Sequence, residues 1–336
     1  LNIVESKSDS FENIDLEKYS EILLKNIDDE FGGFKGAPKF MMPNNLQYLL
    51  RYSFQESNEN SKSKILRTLD KMAYGGIYDH IEGGFSRYST DERWHIPHFE
   101  KMLYDNGQLM SLYSIGYQIS GKNLYKETVY KIHEYISSEM KGVSGGYYSS
   151  LDADSKLEDG SYVEGEYYLW EKDELKELTG NDFDLFSNYY NVNEYGFWEA
   201  ENKYVLIRSI PDIEFINNNN LDKQLFYKKK SEWINKLKKA RKNKKKPRLD
   251  YKIITSWNGL MITGYVDAYK SFNDDIFKNE AIEAGEFIYS SLIKRDGGLF
   301  HNHVNGKSKI NGYLEDYATI IQASLDLYEI TLNQKW

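Results

Sequence analysis

Apolar residues return every three or four positions along most of this chain, a spacing that predicts helices almost throughout. Leu16, Tyr19, Leu23 and Ile27 mark a first helix from about Asp15 to Asp28, after a polar lead-in over residues 1 to 15. Pro43 opens a second, which carries Leu46, Leu49, Leu50 and Phe54. Proline suits that position because first-turn N–H groups lack an intrahelical partner. A third helix is expected from about Lys64 to Tyr74. From Phe99 to Ile119 apolar side chains cover most sides, the pattern of a helix buried between other elements. Its successor, Leu124 to Met140, confines Tyr125, Val129, Ile132, Ile136 and Met140 to one stripe and reads as an outer helix. Two more are expected from about Trp257 to Phe272 and Phe277 to Leu292.

This inner-plus-outer unit recurs. Gly32-Gly33, Gly83-Gly84, Gly145-Gly146 and Gly297-Gly298 punctuate the chain, and helix starts echo one another in Tyr104-Asp105-Asn106, Ser256-Trp257-Asn258 and Glu315-Asp316-Tyr317. The first three pairs are roughly 50–60 residues apart, the size of a helical hairpin plus a loop, so the units are expected to stack. Such hairpins can close into an (α/α) toroid or stay open as a solenoid. The toroid domain is expected over residues 31–336, with an irregular insertion at about 151–255. Within it Lys172 to Leu178 reads as a helix, while Phe197-Trp198 and Tyr204 to Ile207 read as short strands.

Composition narrows the function. A formal charge of -9 argues against nucleic acid as a partner. Lys228 to Arg248 holds twelve Lys or Arg, yet Trp233, Ile234 and Leu237 give that stretch an apolar stripe, so it reads as a docked helix with a solvated face. With no cysteine the chain has no disulfide or thiolate metal site, which is compatible with the cytoplasm. No apolar run approaches the roughly 20 residues of a membrane span, and no membrane partner is expected. The 29 tyrosines and 6 tryptophans suit both helical cores and stacking on sugar rings.

Candidate chemistry gathers between Gly75 and Asn106, where two Gly-Gly turns flank or enclose three histidines and two arginines. His98 and Glu100 are expected in or beside the first turn of a helix beginning near Phe99, with Asp105 one to two turns further in. A histidine beside a carboxylate can transfer protons near neutral pH. Arg87, Trp94, His95 and Lys101 crowd the same stretch as candidate substrate groups. Asp152, Asp154, Glu164 and Glu166 offer carboxylates for glycoside chemistry, or merely turns and caps. In a toroid the ends holding Trp257-Asn258 and Asp316 would face the same mouth, although a repeated cap signature explains Asn258 and Asp316 equally well. His301 and His303 lack the spacing of a helical metal motif, and no phosphate loop or dinucleotide fingerprint is present, so neither metal nor cofactor is expected.

The segments APKF (Ala37 to Phe40), GGIYDH (Gly75 to His80), GGFSRYSTDERW (Gly83 to Trp94), PHFEKMLYDN (Pro97 to Asn106), DADS (Asp152 to Ser155), EGEYYLW (Glu164 to Trp170) and SWNGLMI (Ser256 to Ile262) carry a resemblance. The chain resembles the spermatogenesis-associated protein 20 family of thioredoxin-domain-containing proteins from about Phe31 to Tyr328. The resemblance implies an all-α, (α/α)6 toroid of the six-hairpin glycosidase type with short β-hairpin insertions, of which an incomplete ring is expected here. It implies a thioredoxin-like domain elsewhere in the full-length protein and further hairpins beyond Trp336. Glu82 stands where a third glycine is usual, Gly107 where alanine is usual, and Tyr251 where a second aspartate commonly precedes the lysine. Together these readings lead to a sugar-active enzyme, a glycosidase-like hydrolase or an N-acylglucosamine-2-epimerase-like isomerase. Its catalytic candidates are His98, Glu100, Asp105, Asp152 and Asp154, its substrate-binding candidates Arg87, Trp94, His95, Lys101, Trp257, Asn258 and Asp316. The rival is a non-catalytic scaffold that binds a sugar-like ligand or a protein partner.

Overall fold

A computed structural model describes residues 15–336; the expected lead-in lies outside them save for its last residue. In chain order the helices are α1 (Leu16–Lys25), α2 (Pro43–Gln55), α3 (Glu59–Tyr74), α4 (Leu103–Ser120) and α5 (Asn123–Tyr135, continued by a π turn to Met140). The insertion adds α6 (Lys172–Thr179), α7 (Phe183–Tyr190), α8 (Asp212–Asn218) and α9 (Lys223–Arg241). The chain then completes α10 (Thr255–Phe272), α11 (Asp275–Ser291) and α12 (Leu314–Thr331).

Helices α2, α4, α10 and α12 pack side by side as an inner row, with α3, α5 and α11 outside them. After each of α1, α3, α5 and α11 the chain doubles back through a Gly-Gly turn, closed by a single antiparallel bridge: Ile27 with Phe34, Tyr78 with Phe85, Lys141 with Tyr147, Ile293 with Leu299. One hydrophobic core runs the length of this row, from Leu24 to Leu327. The repeat is a toroid's, and the described residues form an arc of it with four inner helices. At the open edge α12 exposes Leu314, Ile321 and Leu325 at helical spacing.

The echoing helix starts have a common purpose. Asn106 Oδ1 accepts the Phe85 N–H at 2.8 Å while its Nδ2 donates to the Phe85 and Met102 carbonyls. Asn258 does the same for Tyr147 and Ile254, one unit later. In the last unit the Tyr317 hydroxyl accepts the N–H of Leu299 at 3.1 Å. The fourth residue of each of these inner helices thus fastens the preceding turn.

Two glycines allow α4 and α10 to approach closely. A Cβ at Gly264 would lie 2.4 Å from the Gly107 carbonyl oxygen, and one at Gly107 would lie 3.0 Å from the Met261 backbone. Gly107 is therefore a packing requirement as well as a helix-propensity cost. Replacing a helical glycine by alanine ordinarily gains about 1 kcal/mol of propensity. Here Gly264→Ala is expected to lose about 1–3 kcal/mol net through overpacking, read as a lowered urea midpoint. A raised midpoint would show that the two helices move apart freely.

The insertion has its own core, in which Trp170, Phe186, Tyr189, Phe226, Trp233 and Leu237 pack together. The basic stretch is thus a docked helix over most of its length, α9, as its apolar stripe predicts. Both ends of the insertion are held at the ring: Ser150–Leu151 pairs with Lys101–Met102 on one side and Leu249–Asp250 on the other. One expectation is corrected. Helix α4 begins at Leu103 rather than near Phe99, because Pro97–His98 pairs with Tyr88–Ser89 as a strand and Lys101–Met102 pairs with Ser150–Leu151. Pro97, Phe99 and Lys101 are buried while His98 and Glu100 are half-buried, the two-residue alternation of a strand.

Candidate active site at the helix-start mouth

The extended segment before α4 carries His98 and Glu100, and the insertion reaches over to meet them. Tyr162–Glu164 pairs with Asp154–Lys156 as a short hairpin. Its last residue, Glu164, lies with Oε1 2.7 Å from Nδ1 of His98 and also accepts the Phe99 N–H at 3.2 Å. The His98 ring is stacked on Tyr88 with centroids 5.0 Å apart, and its Nε2 is 3.7 Å from Glu100 Oε2. Glu100 Oε2 in turn accepts from Arg87 Nη1 at 3.2 Å. A carboxylate at Nδ1 fixes ring orientation and leaves Nε2 to exchange a proton with a ligand. Asp154 sits directly opposite Glu164 in the hairpin register, so the acidic run is brought beside this cluster. Asp152 instead pairs with Arg248 at 3.4 Å.

Asp105, in the first turn of α4, supplies a carboxyl group of a different kind. It is 7 % exposed and its Oδ2 has no hydrogen-bond partner. Burial pushes its pKa well above the ordinary carboxylate value; Arg87 opposes the shift and Glu100 adds to it. Because the folded pKa lies above the unfolded one, the native state holds this proton more tightly, and stability falls as pH rises through that window. Asp105→Asn is therefore expected to unfold at a higher temperature than the parent near pH 7, with the gap closing toward pH 4. Thermal scans across pH check this, and equal pH slopes for the two proteins would contradict it. Beside Asp105, Tyr104 meets Trp257 edge to face at 4.8 Å, giving the mouth an aromatic wall shared by α4 and α10.

Other sequence candidates serve the scaffold. Trp94 is fully buried and its Nε1 donates to the Phe31 carbonyl, so it is no stacking platform. His95 is 4 % exposed, with its pKa lowered by burial. Lys101 is buried and donates to Asp79 Oδ2 and the Gly83 carbonyl, both at 2.9 Å. Asn258 is buried and committed to the Tyr147 turn. Asp316 is also buried, accepts the Ser256 and Tyr313 N–H groups, and lies 2.9 Å from His301 Nδ1. His301, Glu315 and Asp316 hold possible ligand atoms within 4.8 Å of one another, but both Asp316 oxygens are already taken by these partners. The pairing of Glu164 with His98 escaped sequence reasoning, although Glu164 stood in the acidic run; only the hairpin register brings the two together.

The repeat and this mouth define the class: an (α/α) toroid of the glycosidase type. In fold the chain is similar to a family 76 glycoside hydrolase (mannosidase) from Bacteroides thetaiotaomicron, with a TM-score of 0.50 at 10% identity, covering 92% of this chain and 60% of that one. No family model matches the chain. It is 35% identical to human spermatogenesis-associated protein 20 over 348 residues, 94% of this chain and 44% of that protein. It is also 36% identical to an uncharacterised Caenorhabditis elegans protein over 90% of this chain and 46% of that one. The chain is thus similar to spermatogenesis-associated protein 20 over nearly all of its own length, and spans about half the length of the curated relatives it matches. No described helix is long and apolar enough to cross a membrane.

Proposed function

We propose that this chain carries the catalytic mouth of a sugar-active enzyme of the isomerase or epimerase type, with His98 as the proton-transfer group. The observation that carries this reading is the histidine held at Nδ1 by Glu164, with Nε2 beside Glu100 and an aromatic wall nearby. Abstraction of a carbon-bound proton next to a sugar carbonyl asks for a positioned base of this kind. Arg87 and Trp257 would orient the sugar, and Asp105 would serve as a second proton-transfer group near Arg87 and Glu100. The glycosidase-type fold favours a sugar-like ligand; the remaining half of the protein, with the expected thioredoxin-like domain, would complete the enzyme.

A second reading, glycoside hydrolysis, has one specific observation in its favour. Burial raises the Asp105 pKa while Glu100 accepts from Arg87, and two carboxyl groups in unlike surroundings are what glycosidases use. Proton NMR in deuterated water with a panel of mono- and disaccharides and the full-length protein separates the two. Loss of a ring-proton signal by solvent exchange is the expected result. New reducing-end anomeric signals without exchange would replace isomerisation by hydrolysis. Silence across the panel would favour the scaffold reading, in which the mouth binds without turnover.

A further inference from the structure

Away from the mouth, on the outer side of the ring, a cleft of about 720 Å³ opens between α5 and the basic helix α9. Its floor includes Tyr190, His80 and Arg208. Arg208 is unusual. Its side chain is 7 % exposed, its guanidinium lies between the rings of Tyr74 and Tyr189 at 4.9 and 5.0 Å, and its Nε has no hydrogen-bond partner. Burial and then the charge of Arg208 push the pKa of His80 down to about 3, so the floor histidine stays neutral.

The walls are strongly basic. Lys126 and Lys131 come from α5, Lys230 and Lys238 from α9, and Glu127 is the only carboxylate among the lining residues. Arg208 and Lys230 share Asp212, and Lys131 is paired with Glu134. Lys126 and Lys238 form no salt bridge among the described residues, and Lys126 Nζ lies over the rings of Tyr130 and Phe272 at 5.7 and 5.8 Å. The cleft therefore keeps an excess of positive charge in a protein that is acidic as a whole. Between the lysines the surface is aromatic and aliphatic, with Tyr190, Tyr227 and Ile234 among the lining residues. Cations around an apolar slot, with a half-satisfied buried arginine beneath, select an anion attached to a flat body.

From this we infer that the cleft is a second binding site, for a small phosphomonoester carrying an aromatic ring, with the phosphate between Lys126, Lys238 and Arg208 and the ring against Tyr190 and Tyr227. It shares no residue with the mouth, and stands or falls independently of the sugar chemistry proposed there. Lys126 and Lys238 lie at the rim, so reversing their charge tests the site without opening the core.

The experiment is isothermal titration of the full-length protein with adenosine 5′-monophosphate and with phenyl phosphate, using adenosine and inorganic phosphate as controls. At least one aromatic phosphate is expected to bind more tightly than either control. Lys126→Glu and Lys238→Glu are each expected to weaken that binding at least tenfold while the circular dichroism spectrum stays unchanged. Absence of binding by both aromatic phosphates, or binding indifferent to both charge reversals, would overturn the site. Inorganic phosphate binding as tightly as the aromatic esters would overturn the role of the ring slot.

Discussion

Asp79→Ala is expected to cost about 3–5 kcal/mol of unfolding free energy, the penalty for leaving buried cations without their counter-ion. Asp79 sits beside the second Gly-Gly turn, and three groups converge on it: Lys101 Nζ at 2.9 Å, Arg241 Nη1 at 2.8 and 3.0 Å, and the Ile81 N–H at 3.0 Å. Lys101 and Arg241 are themselves buried, so neither can turn to water when the carboxylate is removed. Burial alone would raise the carboxyl pKa, yet the charges of Arg241 and then Lys101 hold it well below the usual range. A depressed folded pKa contributes stability that is full above the unfolded value, about 3.9, and is lost as pH falls through the folded value. The parent should therefore lose stability in acid below about pH 4 through this site. Urea titration at pH 7 reads the mutant effect; a loss under about 1 kcal/mol, typical of surface pairs, would contradict it. Arg241 is the last residue of α9 and also reaches Glu82 at 3.1 Å, so the same network clamps the insertion onto the ring.

The second large effect concerns activity. His98→Asn is expected to lower kcat by about 10²–10⁴, the usual contribution of a positioned acid or base, with little change in KM. Because His98 is half-exposed and contributes nothing to the core, the variant should fold like the parent. Glu164→Gln keeps a hydrogen-bonding group near Nδ1 but loses the charge, so it should reduce kcat less. Steady-state rates across pH on a sugar that turns over check both. An unchanged kcat in His98→Asn would remove His98 from the chemistry.

The helical repeat was legible because its two signals are local: a three-to-four-residue apolar period, and glycine pairs that mark each return. The resemblance added the expectation of a toroid to a repeat that periodicity alone left open. The strand before α4 was not legible, because Lys101 occupies a buried position and hides the alternation of Pro97, Phe99 and Lys101. That lysine is buried only because Asp79 and the Gly83 carbonyl receive it, a long-range fact. Trp94 and His95 read as site residues by type, and are buried instead, Trp94 packing against Gly33 in the first Gly-Gly turn. Asn258 and Asp316 proved to belong to the caps that the echoing helix starts suggested. His98 stood out from sequence, but its partner Glu164 did not: the two meet only through the register of a hairpin inside the insertion.

The most direct measurement is nuclear magnetic resonance of the ring carbons of this chain's six histidines, recorded within the full-length protein while a turned-over sugar is added. The helix-start mouth as the catalytic site predicts that the His98 signal moves, with those of His80 and His133 unchanged. A sugar that shifts His80 in the outer cleft, and leaves His98 where it was, would place the chemistry elsewhere.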